Sequence, residues 1–295
     1  MNRLLEFLIA LGDLLMPRVC LACGSKLGMR ERHLCLRCAA DVPYTRYWLQ
    51  PHNPLADRFN AVLERHRGTE PMDYAYAVAL MHYKGAYRSI PRALKYHADL
   101  ATGRFFGTLL GRRIAAAPHL ADIDLVIPVP LHWTRRRSRG YNQSEIIARA
   151  LVDGILSQRL PVAAGNDVGK SVLPDRPSSV TPGLTGSLAL PACRTDLLIR
   201  ARRTRTQTRL SVEQKAQNVT SAFRVPERFP FPRSGRDPES PAAVLASARH
   251  ILLVDDTFTT GATLYACYAA IRPFTSARIS IATLAAVEGT PSPGL

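Results

Sequence analysis

Three kinds of segment alternate along this chain: short aliphatic runs, polar loops, and segments whose apolar residues recur at helical spacing. The runs at 125–130 and 251–254 have the length and composition of buried strands, and each leads through a polar loop into a helical pattern. Further strands are predicted at 75–82, 197–200 and 277–287. Repeated strand–loop–helix units indicate an α/β fold with a parallel sheet flanked by helices.

Helices are predicted where apolar residues recur every three or four positions. Four such segments are 54–65, 90–96, 101–116 and 212–223. A further helix is predicted to begin at Asn142, which can form a capping box with Glu145.

Composition along the chain predicts three parts. Residues 1–16 are expected to form an amphipathic helix, 17–70 a small metal module with a linker, and 75–295 the main domain. Two stretches within the main domain, 163–192 and 227–247, are rich in Gly, Pro, Ser or Thr. They are interpreted as loop insertions.

The most informative stretch begins with the aliphatic run at 251–254. Asp255 and Asp256 follow it directly and are predicted to end the strand. The loop that leads into the next helix is rich in hydroxyl groups and backbone amides, and it contains Thr257, Thr259, Thr260, Gly261, Ala262 and Thr263. Ligands of parallel α/β sheets bind beyond the carboxyl ends of strands, and a helix N-terminus favours phosphate.

Two carboxylates would repel a phosphate, so Asp255 and Asp256 are expected to face the hydroxyl groups of a sugar instead. The stretch therefore predicts a site for a ribose 5-phosphate group. The alternative is an ordinary buried strand that ends in aspartate and is followed by a threonine N-cap.

A basic segment follows the predicted strand at 125–130. Its arginines are expected to bind phosphate oxygens, because a guanidinium group can donate two parallel hydrogen bonds. The candidate residues are Arg135, Arg137, Arg139, Gly140, Asn142 and Gln143. The alternative is a solvated basic loop without a ligand.

Four of the six cysteines form two Cys-x-x-Cys pairs, Cys20 with Cys23 and Cys35 with Cys38. This spacing is typical of a structural Zn²⁺ site with four thiolate ligands. A redox-active Cys-x-x-Cys pair is the weaker alternative, because that chemistry does not need a second pair.

Charge narrows the possible partners. The chain carries 39 Lys and Arg against 23 Asp and Glu, for a net charge of +16. Phosphates, nucleic acid and anionic lipid are the partners that this favours, although an arginine-rich proteome would give the same balance. No apolar run is long enough to span a membrane and no signal-peptide pattern occurs, so a cytoplasmic location is expected.

The stretch at 251–263 closely resembles the PRPP (5-phosphoribosyl-1-diphosphate) motif of type I phosphoribosyltransferases. Several blocks in the same order also resemble the ComF family, which combines that fold with an N-terminal double zinc ribbon. These blocks are the four paired cysteines, 83–85, 95–96, 128–132, 139–143, 203–204, 207, 210, 218–219, 222–223, 254–256 and 259–263. Two residues depart from the family pattern, Pro91 and Lys215.

The resemblance implies that Asp255 and Asp256 hold the ribose hydroxyls, as the catalytic acidic pair, and that the 257–263 loop holds the 5′-phosphate. It also implies Mg²⁺ with PRPP, structural Zn²⁺ and a link to DNA uptake in natural competence. A flexible loop is implied by the family pattern at Arg203, Thr204, Gln207, Lys215 and Asn218.

Three functional hypotheses remain open at the level of sequence. The chain could be an enzyme that transfers the pentosyl group of PRPP. It could instead be a non-catalytic competence factor that binds single-stranded DNA, with Trp133 and Tyr141 as stacking surfaces, or a sensor of a phosphate ligand. The zinc module could also bind a protein partner such as a competence helicase.

Overall fold

The structure is a computed structural model that describes residues 17–66, 73–96, 99–160, 190–201, 222–229 and 240–289. Seven strands occur in these ranges: β1 (Ala77–His82), β2 (Leu125–Pro128), β3 (Ala192–Cys193), β4 (Ile199–Arg200), β5 (Phe223–Arg224), β6 (His250–Phe258) and β7 (Arg278–Ala286). Five of them form a parallel sheet in the order β1-β7-β6-β2-β3, and β4 pairs with β5 in a small antiparallel sheet. The predicted α/β fold with a parallel sheet flanked by helices is confirmed.

Eight α-helices occur in the described ranges. They are α1 (Leu36–Ala40), α2 (Pro54–Arg65), α3 (Ser89–Tyr96), α4 (Leu100–Ala115), α5 (Trp133–Arg139), α6 (Gln143–Arg159), α7 (Pro241–Ser247) and α8 (Ala262–Ile271). The predicted helix at 54–65 agrees with α2 at both ends. The prediction for α3 differs from the structure by one residue at its start, and that for α4 by one residue at each end.

Three local predictions are corrected. The strand predicted to stop before Asp255 continues to Phe258, because β6 stays paired with β7 as far as Phe258 opposite Ala286. The basic segment predicted as a loop is helix α5. The capping box at Asn142 is only half formed: Asn142 caps α6 through Ser144 N, whereas Glu145 pairs with Arg149.

The predicted domain boundaries stay a prediction. Residues 1–16 and most of the first predicted insertion lie outside the described residues, as do residues 230–239 of the second. The second predicted insertion also contains helix α7. The helix predicted at 212–223 lies outside the described residues except at its end, where Phe223 belongs to β5.

Alternation along the strands divides the core between the two faces of the sheet. In β6, Ile251 and Leu253 belong to one buried cluster, whereas Leu252 and Val254 belong to the other. Helices α2 and α8 cover the first face, and α3, α4 and α6 cover the second. The cysteine-rich segment packs into the second cluster through residues such as Trp48, so it is part of the same core.

The topology creates a crevice between β2 and β6. From β2 the chain passes through α6 to β3 on one side, and from β6 it passes through α8 to β7 on the other. Neighbouring strands whose connections leave in opposite directions form the usual ligand-binding crevice of an open α/β sheet, at their carboxyl ends. Asp255 and Asp256 lie near the carboxyl end of β6, at this crevice.

Candidate functional site

The two carboxylates at the end of β6 have different surroundings. Asp255 is partly exposed, and its Oδ1 accepts a hydrogen bond of 2.8 Å from Ser144 Oγ in the first turn of α6. Asp256 is only 4% exposed, and its Oδ2 lies 2.6 Å from the Nζ atom of Lys95 in α3. The two carboxylates thus have partners from different helices, Ser144 at the start of α6 and Lys95 near the end of α3.

The pKa of Asp255 is raised from 3.8 to about 7. Burial is the main cause, and the charge of Asp256 adds to it, because both disfavour a second negative charge at this point. Hydrogen bonds from Ser144 Oγ and the Asp256 backbone amide act in the opposite direction, as does the charge of Lys95. Asp255 is therefore close to its protonation midpoint at neutral pH.

The loop after β6 presents exposed hydroxyl groups and the start of a helix. Thr259 and Thr260 are exposed, and Gly261 has a φ of +80°, a conformation that residues with a Cβ rarely adopt. Gly261 is the N-cap of α8. Among the described residues, the only side-chain hydrogen bond to a first-turn amide of α8 is a long one, 3.4 Å from Ala262 N to Thr260 Oγ1. These amide groups are thus available to an anion.

Arg58 of α2 forms hydrogen bonds to the backbone of this loop and of the segment after β7. Its Nη2 donates to the carbonyl oxygen of Thr259 at 2.8 Å, and its Nη1 donates to that of Val287 after β7. The guanidinium group also lies 5.1 Å from the ring centroid of Phe258. The Thr259 carbonyl is thereby engaged with α2, which fixes the direction of the loop.

Residues 140–144 connect the basic helix to Asp255. Gly140 ends α5 with a φ of +80°. The side chain of Asn142 caps α6 and donates to the carbonyl oxygen of Val129, just after β2, at 3.0 Å. This bond places the first turn of α6, with Ser144, beside the end of β6. Gln143 is buried, and its Oε1 has no hydrogen-bond partner among the described residues.

The predicted basic residues lie at the same edge of the sheet. Arg135 and Arg137 are exposed, and the guanidinium group of Arg139 lies 5.8 Å from the ring centroid of Tyr96. Burial lowers the pKa of Arg200 in β4; the charge of Arg135 lowers it further, whereas Asp255 opposes both. Arg135 and Asp255 therefore both lie close enough to the guanidinium group of Arg200 for their charges to act on it.

The structure does not describe the predicted flexible loop. Arg203, Thr204, Gln207, Lys215 and Asn218 lie outside the described residues.

Sequence reasoning did not assign four residues to this site: Lys95, Ser144, Arg58 and Arg200. Arg200 was interpreted only as part of the basic run at 200–209, which favours binding to a DNA backbone. The pair Lys95–Tyr96 is one of the ComF-like blocks, and Ser144 directly follows another, so both carried a signal. Arg58 carried none, because 201 residues separate it from the loop that it supports.

The four paired cysteines lie together, as predicted. The ligand atoms of Cys20, Cys23, Cys35 and Cys38 all lie within 4.8 Å of one another, and the sulfur atoms of Cys23 and Cys35 are 3.8 Å apart. A tetrahedron with Zn–S bonds of about 2.3 Å has edges of about 3.8 Å. Gly24, with a φ of +74°, forms the turn after the first pair. The cluster could hold one zinc ion in a closed structural site.

Comparison with curated proteins finds Competence protein F of Haemophilus influenzae, which is 23% identical over 254 residues. The match covers 83% of this chain and 86% of that protein. No family model matches the chain. The similarity extends over most of both chains and confirms the resemblance to ComF proteins that the motifs indicate.

Within the described ranges, no helix is both long and apolar enough to cross a membrane.

Asp255→Asn is expected to stabilise the protein more at pH 8 than at pH 5. A folded-state pKa above the unfolded value means that the wild-type protein loses stability as the pH rises from about 4 through about 7. Asparagine removes that loss. Between pH 5 and pH 8 the linkage acts over about two pH units. At about 1.4 kcal/mol per unit, the stabilisation by Asp255→Asn should be about 3 kcal/mol larger at pH 8, measured by denaturant unfolding at both pH values. If the unfolding free energies of Asp255→Asn and the wild type differed by the same amount at both pH values, the raised pKa of Asp255 would be contradicted.

The purified chain of 295 residues is expected to contain one zinc ion, measured by elemental analysis. Cys38→Ser should lower the zinc content and the unfolding temperature, because the cluster packs into the core beside α3 and α4. Cys193→Ser is the matched control, since Cys193 lies in β3 outside the cluster. Equal zinc content in the two variants would exclude the cluster as the metal site.

Proposed function

We propose that this chain binds PRPP or a related ribose 5-phosphate at the crevice between β2 and β6, and that it acts in natural competence. One observation carries the proposal: two carboxylates at the end of β6 lie close in the chain to the N-terminus of α8, which Gly261 caps, at a topological switch point of the sheet. The carboxylates suit sugar hydroxyl groups, and the helix N-terminus suits a phosphate. The role in competence rests on the similarity to Competence protein F.

Different residues would bind the ribose, the 5′-phosphate and the pyrophosphate of the ligand. Asp255 and Asp256 would accept hydrogen bonds from the vicinal hydroxyls of the ribose. The loop at 259–263 would donate backbone amides and threonine hydroxyls to the 5′-phosphate. Arg135, Arg137 and Arg139 of α5 would approach the pyrophosphate group, with which guanidinium pairs bidentately.

Magnesium fits the chemistry of this site, because carboxylate and phosphate oxygens are its preferred ligands. Asp255 and Asp256 are the carboxylates that could meet it beside the ribose. When bound with PRPP, the ion would neutralise charge on the pyrophosphate.

A pentosyl transfer would use the same arrangement. In that reaction the bond between C1 of the ribose and the pyrophosphate oxygen breaks, pyrophosphate leaves with the electron pair, and a nucleophile bonds to C1. Positive charge develops on the ribose ring during this step. The carboxylate pair beside the ribose would stabilise that charge, and the arginines of α5 would stabilise the leaving group. A sensor would bind the same ligand without turnover.

A second candidate is the binding of single-stranded DNA along α5. Arg135, Arg136 and Arg137 are exposed on this helix, and Trp133 is 64% exposed. Tyr141 is less suited to stacking than the sequence suggested, because its hydroxyl donates to the Leu94 carbonyl. Tyr96, which is 71% exposed and lies beside Arg139, is the better candidate. Backbone charge with exposed aromatic rings is typical of single-strand binding surfaces.

The first test is isothermal titration calorimetry with PRPP and Mg²⁺. The wild-type chain is expected to bind with a dissociation constant below about 1 mM, and Asp255→Asn should weaken binding at least about tenfold, a loss of about 1.4 kcal/mol. Asp153→Asn, at an exposed position of α6, is the matched control and should bind as the wild type does. Absence of saturable binding at millimolar ligand would refute the proposal.

The second candidate predicts strong salt dependence with a thymidine oligonucleotide. Replacing Arg135, Arg136 and Arg137 by alanine should reduce the slope of log K against log salt by about 2, since each phosphate contact contributes about 0.7 for single strands. Arg104→Ala with Arg112→Ala removes two charges from exposed positions of another helix, α4, and is the control; its slope should stay that of the wild type. An unchanged slope in the triple variant would remove α5 from consideration as the DNA surface.

A further inference from the structure

We propose that Gln143 is a specificity-determining residue of the sugar-phosphate site: its side-chain oxygen accepts a hydrogen bond from the hydroxyl group on C2 of the ribose, so that the site prefers ribose to 2-deoxyribose. This inference rests on the proposed binding of a ribose 5-phosphate. It gives Gln143 a different partner from the phosphate oxygens that its place in the basic segment suggested.

Three consecutive polar residues are buried at the start of α6, and two of them are fully engaged. Asn142, Gln143 and Ser144 are 8%, 6% and 2% exposed. The side chain of Asn142 accepts from Ser144 N and donates to the carbonyl oxygen of Val129. The hydroxyl of Ser144 donates to Asp255. Gln143 differs from both, because its Oε1 is buried without a hydrogen-bond partner among the described residues.

A buried acceptor without a partner weakens the folded state, so its presence calls for an explanation. An apolar side chain of similar length would fill the same space beside the core without that cost. A ligand that donates a hydrogen bond to the atom supplies the missing partner. The position of Gln143 at the candidate site fits this explanation.

The helix directs the side chain of Gln143 toward the crevice. Gln143 lies on the same face of α6 as Ile147 and Leu151, which are fully buried. A long side chain in a helix points back toward the helix N-terminus. Because Ser144 bonds to Asp255, the N-terminus of α6 lies at the carboxyl end of β6. The amide group of Gln143 therefore extends from the core toward the end of the sheet where the ligand is proposed to bind.

The chemistry of the orphaned atom selects the part of the ligand that can meet it. Oε1 of a glutamine accepts hydrogen bonds and cannot donate them. The oxygens of ionised phosphate and pyrophosphate groups are acceptors too, so they do not pair with it. The donors that a ribose 5-phosphate carries are its hydroxyl groups. A sugar hydroxyl is therefore the matching group.

The orientation proposed for the ligand distinguishes its hydroxyl groups. The 5′-phosphate is proposed to lie at the N-terminus of α8, which follows β6. The substituent on C1 is proposed to lie beside α5, which follows β2 and directly precedes the segment of Gln143. Of the two vicinal hydroxyls, the one on C2 is next to C1, whereas the one on C3 is nearer the 5′-phosphate arm. The C2 hydroxyl is thus the one expected to reach Gln143.

This contact would make the site selective. A ligand that lacks the C2 hydroxyl would cover Oε1 and leave it without a partner and without water. A site that hydrogen-bonds a hydroxyl group discriminates against the analogue without it for this reason. The selectivity concerns the sugar and not the phosphate, so Gln143 should not affect ligands that lack the hydroxyl in both cases equally.

The experiment titrates ribose 5-phosphate and 2-deoxyribose 5-phosphate into the purified chain by isothermal calorimetry, with Mg²⁺ present as in the PRPP titration. The wild type is expected to bind the ribose compound at least about tenfold more tightly. Gln143→Met, which keeps the length of the side chain and lacks the acceptor, should reduce this ratio at least about fivefold. The loss should lie in the affinity for ribose 5-phosphate. Gln143→Asn, which shortens the reach of the amide, should reduce the ratio as well.

Gln158→Met is the matched control, because it is the same substitution at an exposed position of the same helix. It should keep the ratio of the wild type. Thermal unfolding without ligand tests whether Gln143 serves the fold instead. Gln143→Met is expected to unfold at a temperature no lower than the wild type, since an acceptor without a partner contributes no bond to the folded chain.

The role of Gln143 is overturned if Gln143→Met keeps the sugar preference of the wild type. In that case the binding of ribose 5-phosphate by the wild type still supports the proposed function. Failure of Gln143→Met to fold would show that the residue serves the fold, and would also overturn its role. If the wild type binds neither PRPP nor ribose 5-phosphate, the proposed function is refuted and the role of Gln143 with it.

Discussion

Two adjacent carboxylates on a buried strand are the constraint around which this structure is arranged. Neither Asp255 nor Asp256 could remain at the end of β6 without compensation, because the strand is covered on both faces. The fold supplies that compensation from two helices, with Lys95 of α3 at Asp256 and Ser144 of α6 at Asp255. Three segments that are distant in the chain must therefore meet at one point of the sheet edge.

The N-terminal part of the chain supports this edge from two directions. Helix α2 contacts the loop after β6 through Arg58, which donates to the Thr259 carbonyl. The hydroxyl of Tyr87, shortly before α3, donates to the carbonyl oxygen of Cys38 in the cysteine cluster. Because α3 carries Lys95, the cysteine-rich segment contacts the part of the chain that pairs with Asp256. The cysteine-rich segment thereby belongs to the core on one face of the sheet.

The sequence predicted those parts of the molecule whose signal is local. The aliphatic run at 251–254, the glycine at position 261 and the two cysteine pairs each specify their own conformation within a few residues. The end of β6 was not predictable in this way, because its continuation to Phe258 depends on pairing with β7. Helix α5 was missed for a related reason: four arginines in a short segment indicate charge, whereas its His132 cap and its Gly140 end specify the helix.

The partners of the carboxylates lay beyond what local patterns can show. Lys95 is a common type of residue on an amphipathic helix, and its role follows only from the packing of α3 against the sheet. Arg58 and Arg200 are likewise defined by contacts between distant parts of the chain. Sequence therefore indicated the candidate ligand-binding groups, whereas the groups that hold those residues in place became visible only in the structure.

The most direct test of the central claim is a crystal structure of the chain with PRPP and Mg²⁺. The account predicts ribose hydroxyls within hydrogen-bonding distance of Asp255, and a 5′-phosphate at the first-turn amides of α8. A structure in which the phosphate groups lie only along α5, with Asp255 still bonded to Ser144 and no sugar beside it, would contradict the account.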